Sequence, residues 1–229
     1  IKTLLKSLIK PAEYLAIDIS RGILLQTGET ITKEFPNLKV GALCVDFMEN
    51  FKLPDQFGRN GAPNLVFFPG STIGNLMPNE AGSFLKRVSQ LIGDKGGILI
   101  GVDLKKDVQI LNRAYNDAQG YTAAFNLNLL YRMRSELNAI VDVSSFDHLA
   151  FFNEKLGRIE MHLISNKPQT IIIDGLSFKF RQEETIHTEN SYKYTLEEFS
   201  GLASDNGFSV LKSWTDNHNL FSVQYLETV

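Results

Sequence analysis

The side chains of this sequence that could do chemistry sit where apolar runs end. Asp18 closes the run YLAID, residues 14–18. In nucleotide-binding α/β folds an acid at a strand end accepts hydrogen bonds from ribose hydroxyls. The same carboxylate, like Ser20 just after it, equally suits the cap of a following helix. Asp46 and Phe47 close LKVGALCVDF, residues 38–47. An acid beside an aromatic can accept an adenine amino group while the ring or its backbone amide addresses the base; the plain alternative is a capping Asp and a core Phe. The segment PGSTIGN, residues 69–75, is the most informative loop. Gly70, Gly74, Ser71, Thr72 and Asn75 follow an apolar run, where backbone can approach a ligand closely. No lysine stands where a phosphate-binding loop needs one. An amide and hydroxyls suit a zwitterion or a cofactor tail better than a triphosphate, although a tight turn into a helix would use the same glycines.

Farther along, the charges of residues 103–107 (DLKKD) follow a fourth apolar run, and a solvated helix start explains them. Tyr115, with Asn116 and Asp117, interrupts an otherwise helical pattern. Glu189 and Ser191 are one strand period apart and therefore share a face. A carboxylate with a hydroxyl can hold a ring bearing N–H groups, or simply decorate a surface. Metal and covalent chemistry find little support. His148, His162, His187 and His218 have no metal-ligand spacing, Cys44 has no neighbouring histidine, and no Gly-x-Ser-x-Gly elbow occurs. No metal is expected, and the histidines are expected to be satisfied structural residues.

The elements that must position these residues follow from apolar periodicity. Ile1, Leu4, Leu5, Leu8 and Ile9 make one face of an opening helix that Pro11 ends. Strands are expected at residues 14–18, 38–47, 64–70 and 96–104, with helices at 22–35 and 78–92 between them. Short apolar strands alternating with helices call for an open parallel sheet. The rhythm then changes. Residues 107–137 read as helical with a break near Gly120; residues 148–164 read as a hairpin, and an Asp-Gly pair at 174–175 marks another turn. A helix at 195–206 and strands at 209–214 and 220–226 restore the α/β pattern, and the last pair must be antiparallel. The chain thus reads as an α/β domain, residues 1–104 and 195–229, interrupted by a mixed α+β insertion, residues 105–194. Ligands of such sheets sit at the carboxyl ends of the strands.

At 229 residues the chain is long enough for one domain with a substantial insertion, not for two ordinary domains. Apolar residues make up 43% and charged residues 21%, the mix of a soluble, core-forming chain. A net charge of −3 argues against a nucleic-acid partner, and no apolar run approaches a membrane span. The single cysteine suits a reducing, cytoplasmic compartment.

Five blocks in order, GSTIGN (residues 70–75), GVDLKKD (101–107), AYNDAQGYTAAFNLNLL (114–130), RIEMHL (158–163) and TENSYKY (188–194), resemble the histidine N-alpha-methyltransferases of ergothioneine biosynthesis. The similarity runs from about Lys2 to the C-terminus. The resemblance implies a class I methyltransferase with a Rossmann-like sheet, using S-adenosylmethionine, with an inserted substrate domain. It implies conversion of L-histidine to the trimethylated betaine hercynine in successive transfers, by a cytoplasmic monomer with no membrane or nucleic-acid partner. By position, Asp18 looks like the ribose ligand, Asp46 and Phe47 the adenine contacts, and Lys2 the tail of the cofactor loop. Asn75 and Tyr115 look like the catalytic pair that holds the amino-acid end, with Gly70 and Thr72 lining that pocket. Met161 resembles the residue packed near the imidazole; Glu189 and Ser191 resemble the pair that bonds its nitrogens. The family's glycine-rich loop and an N-terminal substrate segment have no counterpart here, so the chain is expected to lack an upstream part.

Methyl transfer from a sulfonium agrees with this inventory, because it needs alignment and a neutral nitrogen but no metal and no covalent intermediate. The alternatives are N-methylation of another amino acid such as a tryptophan derivative, a non-catalytic ligand-binding module, and a nicotinamide oxidoreductase. An indole offers one N–H and no acceptor, so Glu189 and Ser191 discriminate against the first.

Overall fold

The computed structural model describes residues 1–58 and 61–229. Its first unit is β1 (Glu13–Asp18), α2 (Arg21–Glu34) and β2 (Lys39–Cys44), preceded by the short helix α1 (Lys2–Ser7). β1 and β2 pair in parallel from Glu13↔Lys39 to Asp18↔Cys44. A parallel pair needs a crossover, which α2 provides. Leu5, Ile31 and Leu38 form the small core beneath it.

The main sheet has the order β10-β11-β4-β3. β3 (Leu65–Phe68) and β4 (Gly97–Asp103) run parallel, joined through α3 (Pro78–Ile92). β10 (Phe208–Thr215) and β11 (Phe221–Thr228) are antiparallel, and β11 lies antiparallel to β4. Ala81, Phe84, Leu85, Val88 and Ile92 recur at helical spacing on α3 and pack onto Ile98, Ile100 and Val102 of β4. Phe199 of α6 (Leu196–Ser204), Phe208 and Leu226 complete this core.

Between β4 and α6 the chain builds α4 (Val108–Tyr115), α5 (Tyr121–Glu136), the sheet β5 (Phe146–Asn153), β6 (Arg158–Ser165), β9 (Thr185–Tyr192), and the hairpin β7 (Gln169–Ile173) with β8 (Leu176–Phe180). Gly120, at φ 74°, breaks the helical stretch where the sequence predicts. The path out of β4 and the path back from β9 run side by side: Tyr194 N–H donates to the Asp103 carbonyl (3.2 Å) and Lys105 N–H to the Tyr194 carbonyl (2.9 Å).

Four differences from the sequence reading have physical causes. β1–β2 is not hydrogen-bonded to β3, so the expected single sheet is two sheets separated by a groove of about 750 Å³ that both strands line. The opening helix stops at Ser7, leaving Ile9 94% exposed, because the chain turns through Lys10 at φ 51° toward β1. β2 stops at Cys44 because Asp46 folds its carboxylate onto the Met48 amide at 2.8 Å, forming a turn. β9 had no apolar run to announce it; its TIHTENSY sequence is held by pairing with β6 from Thr185 to Tyr192, with one register shift between the Met161↔Glu189 and His162↔His187 pairs. No helix among the described residues is long and apolar enough to cross a membrane.

Candidate active site

The loop after β3 is tied down at both ends. Ser71 takes a left-handed conformation (φ 59°), and its hydroxyl accepts from the Asp103 amide at 2.9 Å, which pins the loop to the end of β4. A single 3-10 turn, Thr72–Asn75, follows. Within it Gly74 packs so closely on β9 that a Cβ there would stand 2.7 Å from the Tyr192 carbonyl oxygen. Gly70, at φ 81°, faces open space. Thr72 and Asn75 are exposed.

Tyr115 ends α4, whose start is capped by Asp107 accepting from the Gln109 and Ile110 amides. Three side chains stitch this helix to β5. Asn112 Oδ1 accepts from Phe152 N–H (2.8 Å), Asn116 Nδ2 donates to the Ala150 carbonyl (3.0 Å), and His148 Nε2 reaches the Tyr115 carbonyl at 2.8 Å. His148 Nδ1 meets the Asn126 amide at 3.0 Å, so the ring is satisfied on both sides. Held this way, the Tyr115 hydroxyl donates to Ser191 Oγ across 2.9 Å.

The register of β6 and β9 puts Glu189 opposite Met161 and Ser191 opposite Ile159. Met161, 2% exposed, packs with Leu111, Ala150 and Ile159 against Tyr115 and Phe152. Glu189 and Ser191 therefore share the face that Tyr115 covers. Glu189 is half-buried; burial pushes its carboxyl pKa up, and the Lys193 charge opposes that shift. No described residue donates a hydrogen bond to its carboxylate.

Beneath this face lies a side chain that the sequence reading left unassigned. Lys193 Nζ donates to Asp103 Oδ2 (2.7 Å), Ser191 Oγ (2.8 Å) and Tyr115 Oη (3.0 Å). Its side chain is 1% exposed and also lies over the Tyr115 ring, 4.9 Å from the centre. The other oxygen of Asp103 is bonded by Lys106. Asp103 is thus a bridge into the site and not a solvated helix start. The available signal was the lysine of SYKY, two residues past Ser191 and just beyond the end of β9, enclosed by two tyrosines.

The residues assigned to the cofactor are less concentrated. Asp18 spends one oxygen on the Ser20 amide (2.7 Å), and it lines the groove between β1 and β3. Asp46 is exposed at the end of β2. Phe47 also lines the groove and meets Phe68 and Phe84 edge-on, with ring centres 5.6 and 5.8 Å away. Lys2 lies on α1 and pairs with Glu34 at 2.8 Å, not on the groove lining; together with Lys6 it holds the Glu34 pKa down to about 2.

On the other face of the inserted sheet, Glu160, His162 and His187 bring three ligand-type atoms within 4.8 Å of one another, which their spacing in the sequence does not show. The imidazoles of His162 and His187 are stacked, 4.5 Å apart and 16° from parallel. Imidazole lone pairs lie in the ring plane, so here they run side by side instead of meeting at one point. Glu160 is moreover paired with Arg158 at 2.7 Å.

The parallel strands with their helical crossovers and the antiparallel terminal pair are those of the fold shared by S-adenosylmethionine-dependent methyltransferases. A methyltransferase of this class from Methanosarcina mazei superposes with a TM-score of 0.52 at 12% identity, covering 100% of this chain and 87% of its own. The sequence pattern of the histidine-specific, S-adenosylmethionine-dependent methyltransferases matches residues 1–228, and the chain belongs to that family. It is 36% identical over 205 residues to the histidine N-alpha-methyltransferase of Mycolicibacterium smegmatis, covering 89% of this chain and 63% of that protein. The enzyme of the same name from Mycobacterium tuberculosis is 32% identical over 212 residues, covering 92% and 65%. The chain therefore spans a little under two thirds of the length of these curated relatives.

Proposed function

We propose that this protein transfers methyl groups from S-adenosylmethionine to the α-amino nitrogen of L-histidine, giving hercynine by successive transfers. The observation that carries the reading is the face shared by Glu189, Ser191 and Tyr115 over Met161, beside the loop that bears Asn75. Glu189 accepts a ring N–H and Ser191 serves the other ring nitrogen. Met161 packs on the ring. Asn75 and Tyr115 orient the amino-acid end, with Gly70 and Thr72 lining that pocket. A free amino acid is mostly ammonium at neutral pH, so a proton must leave before attack; an amide and a phenol hold the group in place without the charge that a carboxylate would set against that loss.

The residues at the strand ends fit the cofactor. Asp18 and Asp46 each commit one carboxylate oxygen to a local turn, leaving the other to accept from ribose or adenine. Phe47 offers an aromatic edge, and a Cβ on Gly70 would meet nothing within 4 Å, so the loop leaves room for a bound group. When bound, S-adenosylmethionine supplies the activated methyl group. Residues 1–104 and 195–229 would form the cofactor-binding domain and residues 105–194 the substrate domain. The groove between β1 and β3, each of which leaves its groove-facing edge without a strand partner among the described residues, would be filled by an extended segment from outside residues 1–229. The protein would act as a cytoplasmic monomer on a small molecule, with no nucleic-acid or membrane partner.

The test is to incubate the protein, with its natural flanking sequence, with S-adenosylmethionine and histidine. Mass spectrometry then looks for mono-, di- and trimethylated histidine, with tryptophan and tyrosine as controls. Trimethylated histidine is expected; no methylated histidine refutes the assignment. Asn75→Ala should lower kcat/KM for histidine about tenfold or more, the loss of one hydrogen bond to a charged group. An unchanged rate at low histidine would remove Asn75 from the site.

A further inference from the structure

We propose that Lys193 sets the direction of the hydroxyl hydrogen that meets the substrate ring, and that the site thereby demands a ring presenting one donor and one acceptor. This deepens the histidine reading and rests on it. An ammonium group has three N–H donors and no acceptor. Lys193 meets three oxygens at hydrogen-bond distance, on Asp103, Ser191 and Tyr115, and its side chain is 1% exposed, so its donors are all committed.

A hydroxyl has one donor and two acceptor positions. Lys193 fills one acceptor position on Ser191 and one on Tyr115. The two hydroxyls lie 2.9 Å apart, so one donates to the other and one hydrogen is left over. The phenol is the stronger acid and hence the better donor, which directs its hydrogen to Ser191. Ser191 Oγ then accepts twice, has no lone pair free, and can only donate. Asp103 keeps the ammonium in place, since its second oxygen is itself held by Lys106.

Glu189, on the same face, supplies the complement: a carboxylate with no hydrogen bond from a described residue. The pair thus offers one acceptor and one fixed donor. A neutral imidazole, with one N–H and one bare nitrogen, satisfies both. A pyrrole or an indole leaves the Ser191 hydrogen without a partner in a buried place, and an imidazolium sets an N–H against it. A donor left unmet in a site built to use it is strongly disfavoured. Without Lys193, an acceptor position opens on the Tyr115 hydroxyl 2.9 Å away, so the Ser191 hydrogen can turn to it, no longer needs a ring acceptor, and the site tolerates either ring.

Lys193 is a positioning residue in this account, and the readout is a preference that simple destabilisation would not move. Affinity is measured by calorimetry for histidine and for its pyrrole analogue, in which the ring acceptor nitrogen is replaced by CH. Wild-type protein should prefer histidine on the order of a hundredfold, from the cost of one unmet buried donor. In Lys193→Met the preference should fall to about tenfold or less, while Lys193→Arg, which still donates, should retain most of it. If Lys193→Met does not fold, Ser191→Ala carries the test, because it removes the fixed donor itself and should relax the preference in the same way. Variants that weaken both ligands equally and leave the preference unchanged overturn the proposal. Wild-type protein that binds neither ligand refutes the histidine reading, and this proposal with it.

Discussion

Glu189, the proposed acceptor for the substrate ring, is buried at a cost to the fold. Burial raises its pKa, so folding favours the protonated carboxyl. That contribution is complete below the ordinary value of 4.5 and is lost as pH rises through the raised folded value. Glu189→Gln, neutral at every pH, should therefore have a higher Tm than wild type at pH 7, with the gap closing below pH 4.5. The same variant should bind histidine at least about tenfold more weakly at pH 7, because a charge-assisted acceptor is gone. In wild type, affinity should decline on acidification through that raised value. Tm and calorimetry across pH check both halves; a variant no more stable at pH 7 would show that burial is not acting on Glu189. The sharing of a face by Glu189 and Ser191 was legible from their period-2 spacing. That Asp103 stands beneath them, bonded to Lys193, was not, because Asp103 lies on a strand far away in sequence.

At the scale of elements, the proposed site would depend on how the loop from Gly70 to Asn75 seats against β9. The sequence announced the loop by its glycines and hydroxyls, but gave Gly74 no reason of its own. The reason is the Tyr192 carbonyl, which leaves no room for a side chain. Gly74→Ala must push the loop away from the strand, at a cost of about 1–3 kcal/mol for overpacking. Tm should fall by several degrees, at roughly 2–4 °C per kcal/mol in a chain of this size. On the proposed reading histidine affinity should fall with it, because Asn75 moves with the loop. Unaltered Tm and affinity would contradict the close contact. α3 and the break at Gly120 were readable because apolar spacing and left-handed glycine are local properties. β9 was not, because a polar strand is defined by the strand it pairs with.

Across the whole molecule, the feature that matters is the groove of about 750 Å³ between β1 and β3. Each of these strands ends its sheet, and an unpaired strand edge in an apolar groove is a template for another strand. If an extended segment fills it, residues 1–229 alone should bind S-adenosylmethionine at least about tenfold more weakly than the protein with its natural flanking sequence. Calorimetry on the two forms decides this, and equal affinities would mean that the groove does not depend on outside sequence. The sequence by itself determined the class of fold, the order of most elements, the five family blocks and the face of Glu189 and Ser191. Each of these is carried by local periodicity or by side-chain type. Only the tertiary structure decided that Tyr115 meets Ser191, that Lys193 and Asp103 join them, that His148 braces the helix carrying Tyr115, and that β1 and β3 stand apart. Those are contacts between distant segments, set by register, twist and packing, which no single stretch of sequence records.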